Sequence, residues 1–231
     1  MTASSREIYG MAPSRPEEYS QQMIDVIRNR WDQKADRWDE DLQNPDFHLN
    51  EDNAYERFLD TAKTIVAHHR KACAKALLVD LGCGTAQVLN ELIPFFGDGI
   101  GVDISEKMLE RARGRNIPRT TFVCANCFDL SRVIGSARAI VSRGILLSHY
   151  GRSAAKELIG EVFNSLMPSG GFAVLDFLNK ESRHLYSTPE NKAFFSGQEV
   201  STIARSVGFD KVVVLGSVER RNRIAYLERQ S

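Results

Sequence analysis

The chain has 231 residues, with thirty basic and thirty acidic side chains, so no global field draws it to nucleic acid or to an anionic membrane. No apolar run approaches the length of a membrane span, and Met1-Thr2-Ala3-Ser4-Ser5-Arg6 lacks the apolar core of a secretory signal. Cys124-Ala125-Asn126-Cys127 has metal or redox spacing but no second pair, Cys73 and Cys83 lying elsewhere. A reduced, cytoplasmic protein is therefore expected.

In chain order, residues 1 to about 16 are polar and proline-bearing and read as an arm. Over residues 17–42, Met23, Ile24, Ile27, Trp31, Ala35 and Trp38 recur at helical spacing, which predicts one amphipathic helix. Residues 43–53, with Pro45, read as a loop. Residues 54–71 predict a second helix with Phe58, Leu59, Ala62, Ile65 and Val66 on one face, and His68 and His69 at the surface or an interface. Residues 1–72 are thus an arm with lid helices, and 73–231 one integrated core. Strands are expected near 76–81, 98–103, 120–124, 138–142 and 171–178. Helices fit at roughly 85–95, 105–115, 127–134 and 152–167, the last with Leu158, Ile159, Val162, Phe163 and Leu166 on its apolar face. A helix near 197–207 precedes two runs, 211–218 and 223–228, that read as a hairpin. Strands alternating with helices imply a doubly wound, mostly parallel α/β sheet with helices on both faces.

Within this pattern, Leu77-Leu78-Val79-Asp80-Leu81-Gly82-Cys83-Gly84-Thr85-Ala86 reads as a buried strand ending in an acid, a tight glycine turn and a helix start. Such a turn admits a ligand to bare backbone. The next strand ends in Asp103, nineteen residues beyond Gly84, where a carboxylate is placed to accept from a ribose diol. A dinucleotide fingerprint wants a third glycine where this chain has Gln87. The stretch instead resembles the glycine motif of class I S-adenosylmethionine-dependent methyltransferases. The resemblance continues through Val102-Asp103-Ile104-Ser105-Glu106-Lys107-Met108-Leu109, Leu166-Met167-Pro168-Ser169-Gly170-Gly171 and Val207-Gly208-Phe209, over roughly residues 77–229. It implies a seven-stranded sheet with an antiparallel last strand and S-adenosyl-L-methionine as cofactor.

The resemblance also implies a set of cofactor contacts. Gly82, Cys83, Gly84 and Thr85 form the turn under the methionine moiety, with backbone N–H and C=O groups facing its carboxylate and ammonium. Asp80 either accepts from the ammonium or fixes the turn. Asp103 receives the ribose hydroxyls, leaving Ser105 to cap the next helix. Ile104 and Met108 pack on the adenine or belong to the core. Asn126 or Cys127 meets the adenine edge, and Arg143 and Gly144 supply backbone contacts to the cofactor amine. Trp38 closes on the sulfonium or packs the lid, with Trp31 and Ala35 completing an aromatic, small, aromatic pattern.

After the fourth strand, Ser142-Arg143-Gly144-Ile145-Leu146-Leu147-Ser148-His149-Tyr150 carries no Asp/Asn-Pro-Pro-aromatic motif, which argues against a nucleic-acid base as acceptor. His149 and Tyr150 are the candidates for acting on the acceptor, His149 as base or positioning group. The family's usual histidine aligns one residue earlier, at Ser148. Tyr9, Tyr19, Phe47, His184, Tyr186, Phe194 and Phe195 are expected around the mouth. That supply suits a small, partly apolar acceptor. Asp176 has no neighbouring acid pair, so no metal is expected. Two alternatives stand beside this reading: a nicotinamide-dependent dehydrogenase, and a non-catalytic S-adenosylmethionine-binding partner subunit.

Overall fold

In the computed structural model, which describes residues 21–43, 53–144, 146–150, 152–182 and 193–230, seven strands form one sheet. They are β1 (Leu77–Leu81), β2 (Asp98–Asp103), β3 (Thr120–Cys124), β4 (Ala139–Ser142), β5 (Gly171–Leu178), β6 (Lys211–Leu215) and β7 (Asn222–Arg229), in the order β3-β2-β1-β4-β5-β7-β6. The first five run parallel. All eight residues of β5 and all four of β4 are buried, as their largely apolar runs, interrupted in β5 by Asp176, require of strands covered on both faces. The closing hairpin forms as expected. Its second strand, β7, inserts antiparallel between β5 and β6, pairing Gly171 with Arg229 and Leu178 with Asn222.

Strand order reverses beside β1, which pairs with β2 on one side and β4 on the other. A crevice therefore opens beyond the carboxyl ends of these strands, where ligands bind in open α/β sheets. Gly101 on β2 sits beneath the glycine turn, between Phe122 and Cys83. A β-carbon there would stand 2.7 Å from the Phe122 ring and 2.9 Å from Cys83 Sγ, so its bareness lets β3 and the glycine turn approach each other.

Helices cover both faces. On one lie α3 (Ala54–His68), with Phe58, Leu59, Ala62 and Val66 buried, and α5 (Gln87–Leu92). Two short helices separate these elements from their neighbours: α4 (Arg70–Cys73) precedes β1, and α6 (Glu106–Gly114) follows β2. Beyond β3, α7 (Leu130–Val133) and α8 (Leu146–His149) flank β4. On the opposite face, α9 (Arg152–Asn164) and α10 (Gly197–Val207) bury Leu158, Ile159, Val162, Val200 and Ala204. Ser196 and Glu199 close a capping box at the start of α10. No helix among the described residues is long and apolar enough to cross a membrane.

Three local expectations are corrected. The helix expected over 17–42 is two, α1 (Gln21–Lys34) and α2 (Trp38–Gln43), separated by a turn at 35–37 in which Arg37 N–H reaches Lys34 O at 3.1 Å. Asp39, Glu40 and Asp41 then occupy the first turn of α2, where acids complement the helix dipole. The helix expected over 85–95 stops at Leu92 and tightens into a 3₁₀ turn over Ile93–Phe95, because Pro94 has no N–H to continue the ladder. His69 is half-buried rather than a surface residue. Its ring stacks on Phe172 at 4.5 Å, and its Nε2 lies 2.9 Å from the Tyr226 hydroxyl, which in turn donates to Glu228 at 2.6 Å. The arm, the loop at 44–52, and Tyr9, Tyr19, Phe47, His184 and Tyr186 lie outside the described residues.

Candidate functional site

The strand tips are tied together by the backbone of the glycine turn. Gly82 and Gly84 have φ of 72° and 53°, a left-handed region open to glycine. Gly82 N–H and Cys83 N–H both donate to Val102 O, at 2.8 and 3.0 Å. Gly84 N–H donates to Asp103 Oδ2 at 2.8 Å, while Asp103 Oδ1 accepts from Ser105 N–H at 2.9 Å. Ser105 caps α6 by accepting from Met108 N–H at 3.1 Å, as expected. These bonds change one expectation. The N–H groups of Gly82, Cys83 and Gly84 serve the fold, so the turn does not offer them to a ligand carboxylate.

Above the turn lies an open cleft of about 910 Å³. Of the residues singled out in the sequence, Trp38, Asp80, Gly82, Cys83, Gly84, Thr85, Asp103, Ile104, Met108, Cys127, Arg143, Gly144, His149 and Tyr150 line it. Asn126 does not. Its side-chain oxygen accepts from Phe128 N–H at 3.2 Å and starts the 3₁₀ turn over Cys127–Asp129, so Ala125 and Cys127 form that wall instead. Phe195 is a core residue under the Arg152 guanidinium, and neither it nor Phe194 lines the cleft. Sequence reasoning passed over Ile27, Leu42, Tyr55 and Ala125. The helical period of Ile27 with Trp31 was a signal for the first; Tyr55 gave none.

Asp80 is 2% exposed and accepts from Leu89 N–H at 3.2 Å, inside the first turn of α5. The anion-favouring helix start is thus occupied by the protein's own carboxylate. Burial nevertheless pushes the Asp80 carboxyl up to about 7, the Leu89 N–H only partly opposing it. Burial also raises Asp103, against the N–H groups of Ser105 and Gly84. Arg143 is the cation of the lining, its guanidinium 4.9 Å over the Tyr55 ring. Burial lowers its affinity for the proton, with Asp176 acting in the opposite sense. Gly144 N–H donates to Asp176 at 3.2 Å, which fixes the loop after β4.

On the opposite wall, His149 lies beside Trp31 at 5.6 Å, and buried Tyr150 meets Phe128 edge-on at 4.9 Å. Ser148 turns into the core, where its hydroxyl accepts from Leu178 N–H at 3.1 Å. The histidine of this helix therefore reaches the cleft from position 149, and position 148 is structural. Burial pushes the Cys127 thiol up to about 12, while Cys124 is exposed.

α1 and α2 close the remaining side, through Ile27, Trp31, Trp38 and Leu42. Trp31 and Trp38 meet edge-on at 5.3 Å, and Trp38 Nε1 lies 3.4 Å from where a β-carbon on Gly84 would sit. Met108 and Ala35 pack against Trp38. Three carboxylates of this segment bond to the core: Asp32 accepts from Ser105 Oγ at 2.5 Å, Asp36 pairs with Arg111 at 2.7 Å, and Asp39 accepts from Thr85 Oγ1 at 2.6 Å.

Asp80 gives a pH test. Its folded-state carboxyl sits near 7 against an ordinary value of 3.8, so the folded chain keeps a proton that the unfolded chain has lost. This group therefore removes stability as pH rises from about 4 to about 7, by about 4 kcal/mol in all. Asn at this position cannot ionise. Urea unfolding should show Asp80→Asn gaining on the parent protein across that window and holding level above it. A difference that stays constant with pH would contradict the assignment.

Residues 78–170 match the methyltransferase domain family. No curated protein matches the chain significantly. Among solved structures, the chain is similar to magnesium protoporphyrin IX methyltransferase from Synechocystis PCC 6803 with bound SAM (18% identity, TM-score 0.68, covering 90% of this chain and 97% of that one). It is also similar to an S-adenosylmethionine-dependent methyltransferase from Clostridium acetobutylicum (14% identity, TM-score 0.69, 84% and 99%). A [4+2]-cyclase, SpnF, shares the fold as well (15% identity, TM-score 0.67, 88% and 95%), so the fold alone does not fix the reaction. Residues 78–170 thus carry the match to the methyltransferase domain family, set within a seven-stranded sheet of the fold that these structures share.

Proposed function

We propose that the chain binds S-adenosyl-L-methionine and transfers its methyl group to a nitrogen or oxygen of a small-molecule acceptor. The observation that carries this reading is the buried Asp80 carboxyl facing the cleft. An acid pushed to about 7 by desolvation fits a cationic ligand group such as an ammonium, which would restore its charge. Around it, Asp103 keeps lone pairs for a ribose diol, and Ile104, Met108 and Ala125 offer apolar surface to an adenine. Arg143 suits the carboxylate of the aminoacyl end, a role for its side chain rather than its backbone. Gly82 and Gly84 contribute carbonyls, and Trp38 presents its ring to a sulfonium. SAM bound on the same fold in the protoporphyrin enzyme supports the reading.

The alternatives fare worse on the same ground. A pyrophosphate over this turn would meet Asp39, which holds Thr85 at 2.6 Å and Gln87 at 3.1 Å, and the helix start is already filled by Asp80. That disfavours a nicotinamide dinucleotide. A partner subunit without activity would bind the cofactor yet fail to turn over. The free cysteines of the described residues suit a reduced, cytoplasmic setting.

S-adenosyl-L-methionine supplies an already activated methyl group. The chain's part is to hold the acceptor in line and keep water out, through Trp31, Trp38, Leu42 and Tyr150 around the cleft. His149 faces the acceptor side and there takes a proton from a hydroxyl or orients an amine. Screening small molecules for transfer of isotope-labelled methyl groups tests the activity, and a screen that labels none would favour the partner-subunit alternative.

Two substitutions sharpen this test. Asp103→Ala should weaken S-adenosylhomocysteine by roughly 1.5–3 kcal/mol, since contacts to a charged acceptor disappear. Calorimetry showing parental affinity in a folded variant would remove Asp103 from the cofactor site. His149→Ala separates the acceptor types. With an oxygen acceptor, kcat should fall by about a hundredfold, and the pH profile should lose its limb in the histidine range. With a nitrogen acceptor, KM should rise while kcat follows the amine's own ionisation.

A further inference from the structure

We infer that Asp39 is a positioning residue that latches the lid to the glycine turn, so that lid docking and the shape of the ligand-binding turn form one equilibrium. Its two carboxylate oxygens collect three side chains from the core: Oδ1 accepts from Thr85 Oγ1 at 2.6 Å and from Gln87 Nε2 at 3.1 Å, and Oδ2 from Arg115 Nη2 at 2.6 Å. Arg115 completes a ring, because its Nε donates to Thr85 O at 2.6 Å. Thr85 and Gln87 flank Ala86, which stands at φ 62°. A non-glycine residue holds that left-handed conformation only where its surroundings over-determine it. The bonds on either side of Ala86 end on one lid carboxylate, and that is the constraint.

The neighbouring residue makes the coupling matter to a ligand. Trp38 places its indole 3.4 Å from the missing β-carbon of Gly84, so the same helical turn that bonds the loop also covers it. The turn at 35–37 permits this, since it aims Trp38 and Asp39 together at the loop. Asp36 supplies a built-in comparison: it belongs to the same lid and carries the same charge, yet it is exposed and pairs with Arg111 on α6, away from the turn. Loss of charge alone would affect both positions alike.

The chain's two tryptophans, Trp31 and Trp38, both lie in the lid and line the cleft, so intrinsic fluorescence reads lid docking directly. In the ligand-free protein, Asp39→Ala should shift the emission to the red and speed amide exchange at Gly84, Thr85 and Ala86, while Asp36→Ala leaves both as in the parent. The effect on ligand retention rests on the cofactor reading above. There, stopped-flow release of S-adenosylhomocysteine should quicken at least tenfold in Asp39→Ala and change less than twofold in Asp36→Ala. Should Asp39→Ala fail to fold, Arg115→Met opens the same ring from the core side and should give the same shifts. A parent protein that ignores S-adenosylhomocysteine would overturn the cofactor reading, with the ligand-free spectra still deciding the latch. Parental emission and exchange in Asp39→Ala or Arg115→Met, or equal shifts in Asp36→Ala, would overturn the latch.

Discussion

The carboxylate of Asp103 stands where three segments of chain have to meet. It ends β2, takes Gly84 N–H from the turn after β1, and takes Ser105 N–H at the start of α6. Neither N–H has a helical or sheet partner to fall back on, and losing either would cost a buried donor its hydrogen bond. The acid therefore shapes the floor of the cleft whether or not a ligand is present. Around it, bare Gly101 lets Cys83 and Phe122 approach, and the reversal of strand order beside β1 opens the crevice above. Each of these features serves the same strand tips.

Charge in the cleft follows from that geometry. Two acids, Asp80 and Asp103, are held among apolar walls and both bind protons more readily than in water. The turn's own N–H groups are used internally, so the surface presented to a ligand is rich in acceptors and poor in donors. Such a site favours hydroxyls and cations over phosphate. Arg143, stacked on Tyr55, introduces positive charge at one point of the wall and so gives the cleft a direction. A zwitterionic aminoacyl group matches that arrangement, and a pyrophosphate does not.

How much of this was legible depended on the range of each interaction. The strands and the glycine turn are written in local apolar runs and in residue spacing, and every strand appears within a few residues of its expected place. The strand-tip acids were equally visible, because a carboxylate after a buried run is unusual wherever it occurs. Asp39 was not, since it looks like one more acid in a charged helix. Its partners Thr85 and Arg115 lie 46 and 76 residues away, and no period links them. The same holds for His69, whose ring finds Phe172 and Tyr226 across the fold. Of the two residues expected at the adenine edge, Asn126 has its side-chain oxygen engaged in a local cap, while Cys127 lines the cleft. The fold sends Ser148 into the core and His149 into the cleft, so the one-residue offset still brings a histidine to the site.

In the proposed complex, the cleft over Asp80 and Asp103 holds S-adenosylmethionine with its ribose on β2 and its aminoacyl end between Asp80 and Arg143. A crystal structure of the chain with S-adenosylhomocysteine tests it most directly. Ribose hydroxyls should lie within hydrogen-bond distance of Asp103, with the Gly84 and Ser105 N–H bonds retained, the ammonium at Asp80 and the carboxylate at Arg143. A nucleoside seated elsewhere, or an aminoacyl end turned away from both Asp80 and Arg143, would contradict it.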